Sequence, residues 1–229
     1  MRIAIIPARG GSKRIHRKNI RLFHGKPIIA WSIEAALKSN CFDRVLVSTE
    51  DEEIASISER YGAQVPFLRP SRLADDLTST GEVVRSSILS LQSRGVKPTH
   101  VCCIYATAPF ISHVDLRSAY GELTLTGVDY VFSACSFSFP IQRGFFVDDS
   151  GLAKMQFPEM FRMRSQDLKP FFHDAAQFYW GTLKAWLDDR PIYDLRARPW
   201  FIPRTRVQDI DTEEDWKVAE NLFSLGLNE

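Results

Sequence analysis

Residues 5–19, "IIPARGGSKRIHRKN", place two adjacent glycines, Gly10 and Gly11, after an apolar run. Around them stand Arg9, Lys13, Arg14, Arg17 and Lys18, with no acid among them. Glycine lacks the Cβ that keeps a ligand oxygen away from backbone N–H groups, so such a turn can close around phosphate. Arg9, Lys13 and Lys18 can neutralise the charge, and the planar guanidinium of Arg9 can grip two oxygens at once. This is chemistry for a polyphosphate. It is neither a G-x-x-x-x-G-K-[ST] loop nor a G-x-G-x-x-G dinucleotide fingerprint, because neither spacing is present.

Two further clusters carry polar groups that could react or bind. In "QDIDTEEDW" (208–216), Asp209 and Asp211 stand two apart at the end of the last strand-like run. On a regular strand that spacing puts both carboxylates on one face, where hard oxygen donors suit Mg²⁺. Acids in front of a helix starting at Thr212 also complement its dipole, and the residues alone leave both roles open. In "FFHDAAQFYWG" (171–181), His173 and Asp174 precede Gln177 and three aromatics. Phe178 and Trp180 alternate with Gln177 and Tyr179, which predicts one core face and one polar face. No serine in a nucleophile elbow accompanies the His–Asp pair, which argues against a hydrolase triad.

Composition narrows the context. The 229 residues carry 29 Lys and Arg against 28 Asp and Glu, and apolar residues make up 45%. Residues 1–33 hold eight of the basic residues and no acid, so the remainder has 21 basic against 28 acidic. That is a local anion site on a nearly neutral body, whereas a nucleic-acid binder is normally basic throughout and interleaves stacking aromatics. No apolar run approaches the roughly 20 residues of a membrane span. Met1-Arg2 leads directly into a short strand, without the charged, apolar and small-residue regions of a signal peptide. Cys41, Cys102, Cys103 and Cys135 lack metal-ligand spacing and read as reduced core residues of a cytoplasmic protein.

The elements that must position these groups alternate. Strand-like runs at 2–8, 43–50, 99–106 and 129–135 are separated by helical patterns at 27–39, 51–62 and 79–95. Ser79-x-x-Glu82 is a capping box, Gly62 and Gly95 are stop signals, and Thr212-x-x-Asp215 opens a last helix. This predicts a single α/β domain over 1–229, Rossmann-like, with a mainly parallel sheet and flanking helices. The alternation fails over 136–172, which holds eight of the sixteen Phe and a hairpin pattern with its turn at 148–151. Those aromatics either pack locally or bury against a second subunit as a dimerisation arm. The fold resumes with "AAQFYWG" and a strand at "PWFIP" (199–203).

"PARGGSKRIHRKN" (7–19) resembles the signature of the cytidylyltransferases that make CMP-activated nonulosonic acids, the sialic acid family of sugars. The resemblance runs on through "LFHGKPIIAWSIEAA", "VSTEDEEIA", "RPSRLADDLTST" and "YATAPF" to "DIDTEEDW", nearly the whole chain. It implies a nucleotidyltransferase fold with a dimerisation arm, a homodimer, and CTP and a nonulosonic acid as substrates. It implies a nucleotide site of Ala8, Arg9, Gly10, Gly11, Ser12, Lys13, Lys18 and Asn19, with Arg69 and Thr78 at the base or ribose. Asp209 and Asp211 then match the family's Mg²⁺ ligands, and Arg9, Lys13 and Asp211 carry the transfer.

The same resemblance places Arg164, His173, Asp174, Gln177 and Tyr179 at the acceptor sugar, Arg164 by reaching the partner's site. Two departures matter. The sialate branch carries an Asn-Gly pair where this chain reads "HDAAQFYW", which is similar to the pseudaminic acid branch. At Tyr105 the sialate enzymes have a glutamine that helps read cytosine, and a single hydroxyl cannot replace an amide. The expected activity is therefore Mg²⁺-dependent transfer of CMP from CTP to a nonulosonic acid, pseudaminic acid foremost. Sialic, legionaminic and Kdo sugars are the nearest alternatives, and a catalytically inactive nucleotide-binding module is the alternative of another class. No side chain stands out as a general base.

Overall fold

The structure is a computed structural model and describes residues 1–75, 77–188 and 191–226. In chain order its elements are β1 (Arg2–Pro7), β2 (Leu22–Phe23), β3 (Lys26–Pro27), α1 (Ile28–Ser39), β4 (Arg44–Ser48), α2 (Glu52–Arg60), α3 (Thr80–Gln92), β5 (His100–Ile104), α4 (His113–Thr126), β6 (Tyr130–Ser136), β7 (Phe145–Val147), β8 (Ala153–Met155), β9 (Phe172–Thr182), α5 (Leu183–Leu187), β10 (Ala197–Phe201) and α6 (Glu213–Ser224).

Six strands form one sheet in the order β10-β6-β9-β5-β1-β4. β1 pairs in parallel with β4 and β5, and β6 with β10. Only β9 runs against its neighbours, so the sheet is mixed but mostly parallel. The continuous apolar strands follow from cover on both faces. One face packs Ile29, Ile33, Leu116, Ala119 and the Phe178 and Trp180 side chains, and the other packs Val84, Ile88, Leu91 and Trp186.

The helix signals act as expected. Ser79 and Asp51 accept from the N–H groups of Glu82 and Ile54, and Thr212 and Asp215 cap each other reciprocally. Gly62 adopts φ 92°, open to a residue without Cβ. Helix α4 was not anticipated. Thr124, Thr126 and Gly121 dilute its apolar stripe, although Ser112 caps its start and Gly127 its end. All four cysteines are free and buried. No helix among the described residues is long and apolar enough to cross a membrane.

A third cluster fixes the geometry of the site. Ile15 from the glycine turn, Phe23, Ile28 and Phe110 are buried against Ile210, Trp216 and Ala219. This apolar seam docks α6 and the segment before it onto the basic turn, across nearly the full length of the chain. Between β6 and β9 the chain leaves the sheet, and β7 and β8 form the expected hairpin. Phe139, Phe145, Phe146 and Phe161 lie there largely exposed.

Candidate active site

Beyond β1 and β5, at their carboxyl ends, a cleft of about 530 Å³ opens. Arg9, Ser12, Lys13, Arg14, Lys18 and Asn19 line one wall, Arg69, Asp75, Thr78 and Thr80 another, and Tyr105 and Asp211 complete it. The crevice position is the one expected for a ligand of an open α/β sheet.

The glycine turn is held from below. The Gly10 N–H donates to Glu50 Oε1 at 2.7 Å, so this N–H is engaged with protein and not presented to a ligand. A Cβ on Gly10 would lie 2.5 Å from Asp51 Oδ2, whereas one on Gly11 would meet nothing within 4 Å. The two glycines therefore serve different ends: Gly10 permits close packing on Asp51, and Gly11 leaves room above the turn. Asn19 donates to the Arg9 carbonyl at 2.9 Å, and Arg9 Nη1 donates to the Asp75 carbonyl at 3.0 Å. Asp75 also accepts from the N–H and hydroxyl of Thr78 at 2.7 Å each, which links Thr78 through Asp75 to the turn. Ala8 is buried and in hydrogen bond with Ser48, anchoring the start of the turn to β4.

Arg17 sits at φ 52°, in the left-handed region, and its guanidinium forks onto Asp51 and reaches Glu53. That pairing holds the Asp51 carboxyl below its ordinary value, first through the Arg17 hydrogen bond. Arg69 is buried and donates to Glu50 Oε2 at 2.6 Å. Its Nε is buried without a partner among the described residues, and it lies in the cleft wall. The loop salt bridge and a ligand contact are thus both within reach of one side chain.

Asp209 and Asp211 are not on a strand. β10 ends at Phe201, and the chain runs through a short turn and an irregular segment into α6. The two-residue strand argument does not apply; the carboxylates are placed by the docking of Ile210 and Trp216 in the apolar seam. Asp211 lines the cleft and accepts from Lys18 Nζ at 3.2 Å and Arg14 at 3.0 Å. Asp209 is open to solvent but crowded by protein atoms. Its carboxyl is pushed up first by desolvation and then by the charge of Asp211. A cation beside the pair would relieve that repulsion, and Mg²⁺ takes carboxylate oxygens together with waters and phosphate oxygens, but it would have to share Asp211 with Lys18 and Arg14, which hold one oxygen each. Asp215, by contrast, is engaged with the N–H groups of Asp211 and Thr212 as a cap.

A second cavity of about 440 Å³ adjoins the first. Thr80 and Tyr105 line both. Its other walls include Ser79, Gly81, Arg85, Tyr130, Asp174, Tyr179, Trp186 and Asp188. Tyr179 donates its hydroxyl to Asp174, and its ring lies 5.6 Å from that of Tyr105. Burial raises both phenols, Tyr179 far above the ordinary range.

The other expected sugar residues are dispersed. His173 Nδ1 lies 2.8 Å from the Asp174 carbonyl, and its ring packs on Phe137. Gln177 is buried, with its amide donating to the Arg206 carbonyl at 2.5 Å. The expected alternation fails at this residue because β9 bulges. Ala176 adopts φ 51°, the β6 register shifts between Phe132 and Ala134, and both Gln177 and Phe178 N–H groups donate to Ser133 Oγ. Arg164 is exposed and paired with Asp167 at 2.7 Å in the arm, away from both cavities. Sequence reasoning missed Thr80 and Arg85 as cavity walls; Thr80 lies inside the "TST" run at a helix start, the one signal that marked it.

The family model described as "Cytidylyltransferase" matches residues 3–144. The chain is 44% identical to a pseudaminic acid cytidylyltransferase of Campylobacter jejuni over 97% of its own length and 96% of that protein's. It is 34% identical to a CMP-N,N'-diacetyllegionaminic acid synthase of Legionella pneumophila, again over 97% and 96%. In fold it is similar to a CMP:2-keto-3-deoxy-manno-octonic acid synthetase complexed with CTP. The TM-score is 0.72 at 15% identity, with 99% of each chain covered.

Proposed function

The chain belongs to the cytidylyltransferase family, and from that premise we propose that it transfers CMP from CTP to the anomeric hydroxyl of a nonulosonic acid, with pseudaminic acid as the acceptor and pyrophosphate as the second product. The carrying observation is the pair of adjoining cavities that share Thr80 and Tyr105, one lined by the basic turn and the other by Asp174 and Tyr179. A nucleotide triphosphate suits the first and a polyhydroxylated sugar the second, which brings the attacking hydroxyl to the α-phosphorus at their junction.

Transfer of this kind depends on positioning and on neutralising charge. Arg9, Lys13 and Lys18 lie along the basic wall to hold the phosphates, Gly11 and Ser12 leave them room, and Asn19 fixes the turn through the Arg9 carbonyl. Arg69 and Thr78 contact the nucleoside in this reading, which their position in the cleft wall and the buried, unpartnered Arg69 Nε support. Asp209 and Asp211 would hold Mg²⁺, which polarises phosphate oxygens and lowers the attacking hydroxyl's pKa when bound. Lys18 and Arg14 keep the Asp211 carboxylate oriented into the cleft.

Asp174 and Tyr179 face the acceptor. His173 and Gln177 shape the strand behind them through the bulge and the Arg206 carbonyl. The exposed aromatics of 136–172 are proposed as a dimerisation arm that carries Arg164 toward the partner's acceptor cavity. Their exposure and the arm's departure from the sheet support that role. The setting is proposed as cytoplasmic, in agreement with four free buried cysteines.

The preference among sugars is tested by pyrophosphate release with CTP against pseudaminic, legionaminic, N-acetylneuraminic and Kdo acceptors. Turnover of pseudaminic acid at a kcat/KM at least about 30-fold above N-acetylneuraminic acid is expected, since two unpaired polar groups cost about 1–3 kcal/mol each. Equal turnover of the two removes the pseudaminic assignment. Release with none of the four removes the transferase reading in favour of a binding module.

A further inference from the structure

The turn that lines the cleft has little backbone support of its own. Among the described residues, no backbone N–H of residues 13–19 donates to another backbone group. Its shape is therefore set by what its side chains grip. We propose that Arg17 is a positioning residue for the nucleotide, a latch that closes the turn onto Asp51 and Glu53 at the start of α2 and orders it before CTP arrives. The inference rests on the nucleotide site proposed above and adds what holds that site ready.

Arg17 differs from the cations around it. Arg9, Lys13, Arg14 and Lys18 line the cleft, and Arg17 does not. Its guanidinium turns instead to α2. Nη1 donates to Asp51 Oδ2, and Nη2 donates to Asp51 Oδ1 at 3.0 Å and to Glu53 Oε2 at 2.5 Å. The Arg17 and Asp51 side chains are only 26% and 20% exposed, so salt screens this pair less than a surface one. A planar fork between two carboxylates fixes direction as well as distance.

Asp51 meets the turn near both ends. Gly10, near its start, comes so close that a Cβ there would lie 2.5 Å from Asp51 Oδ2. Arg17, near its end, holds the same carboxylate. The segment from Gly10 to Arg17 is thus closed as a loop over one side chain. Asp51 is itself fixed as the cap of α2, accepting from the Ile54 N–H at 2.9 Å.

The backbone at Arg17 carries the strain of this closure. It stands at φ 52° and ψ 33°, where a side chain is disfavoured and glycine is at ease. Such a conformation persists where surrounding contacts over-determine it, and the two carboxylates do so here. The Arg17 carbonyl then accepts from the Ile20 and Arg21 N–H groups at 3.0 Å each, which turns the chain. Immediately beyond, Lys18 donates to the Ile210 carbonyl and Asn19 to the Arg9 carbonyl. Those contacts tie the end of the turn to the segment before α6 and to its own start. A turn closed only part of the time binds with an affinity reduced by that fraction. Bound phosphates order it again, so the latch acts on binding far more than on the saturated rate.

The test compares the wild type, Arg17→Gly, Arg17→Lys, Asp51→Asn and the Arg17→Gly/Asp51→Asn double variant. Hydrogen exchange, CTP calorimetry and thermal melts need no acceptor, so a failed transfer assay leaves them standing. Arg17→Gly removes the latch but relieves the backbone, and its Tm is expected within about 3 °C of wild type. Without CTP, its amides over 11–19 are expected to exchange about tenfold faster, and its Kd for CTP to rise about five- to tenfold. Added CTP restores the protection. Arg17→Lys keeps the charge without the fork and is expected to lie between. Asp51→Asn keeps a helix cap and loses the ion pair. The double variant is expected to bind CTP no more weakly than Arg17→Gly, because both changes break one contact. Pyrophosphate release at saturating CTP should keep kcat within about threefold. Unchanged exchange in Arg17→Gly overturns the latch, whatever the affinity. Wild-type behaviour of Arg17→Lys beside a weakened Arg17→Gly also overturns it, and assigns Arg17 to the diffuse positive field. A wild type that binds no CTP overturns the nucleotide site and the latch's role in it together.

Discussion

Gly10 and Gly11 are neighbours in sequence with opposite surroundings, and replacing each by alanine separates packing from ligand room. A Cβ on Gly10 would sit 2.5 Å from Asp51 Oδ2 and 3.1 Å from its Cβ and Cγ. Asp51 cannot simply swing away. It caps α2 through the Ile54 N–H at 2.9 Å and holds the Arg17 guanidinium. Losing the cap costs about 1 kcal/mol, and the partly buried ion pair with Arg17 contributes about 1 kcal/mol more. Gly10→Ala is therefore expected to lose about 2 kcal/mol, which for a chain of this size lowers Tm by roughly 4–8 °C. Gly11→Ala meets nothing within 4 Å and has no positive φ to strain, so its Tm is expected to stay within about 2 °C. Its cost falls on the ligand, as weaker CTP binding where the new methyl crowds the phosphates. Thermal melts and CTP calorimetry on both variants decide the matter. A Gly11→Ala protein less stable than Gly10→Ala would refute the reasoning about what the turn packs against.

Arg9→Lys keeps the charge but loses the planar fork, and kcat is expected to fall on the order of a hundredfold; a change under about threefold in pyrophosphate release would reduce Arg9 to part of a diffuse field. Asp211→Ala is expected to abolish turnover and its Mg²⁺ dependence while circular dichroism stays native, since Lys18 keeps the Ile210 carbonyl and Arg14 is largely exposed to solvent. Light scattering at micromolar concentration should give twice the 26.2 kDa of one chain, with Phe145→Ser/Phe146→Ser shifting it toward one; a wild-type monomer would remove the arm as a dimer contact. The depressed Asp51 makes the sign of one pH effect clear: its stabilisation is full above the ordinary 3.8 and is lost as pH falls through the lower folded-state value. Asp51→Asn should accordingly flatten the acid limb of a stability curve, and an unchanged limb would show that other carboxylates dominate it.

The basic glycine turn, the strands and helices around it and the capping boxes at Ser79 and Thr212 were legible in the sequence because each rests on local chemistry. Period, turn residues and caps act within a few positions. The hairpin at 148–151 was legible for the same reason. Helix α4 was not, because Gly121 and its threonines blur the period while tertiary contacts of Leu116 and Ala119 supply the stability. The distant pairings needed the fold. Asp211 faces Lys18 only because Ile15 and Phe23 bury against Ile210 and Trp216, a seam between residues almost two hundred positions apart. Gln177 was expected beside Tyr179, but a bulge over Ser133 turns its amide to Arg206, and no pattern within β9 announces that. Residue types set which chemistry the chain could hold. Which of those residues share a cavity was decided by apolar burial, which is non-directional and joins segments without regard to their separation in sequence.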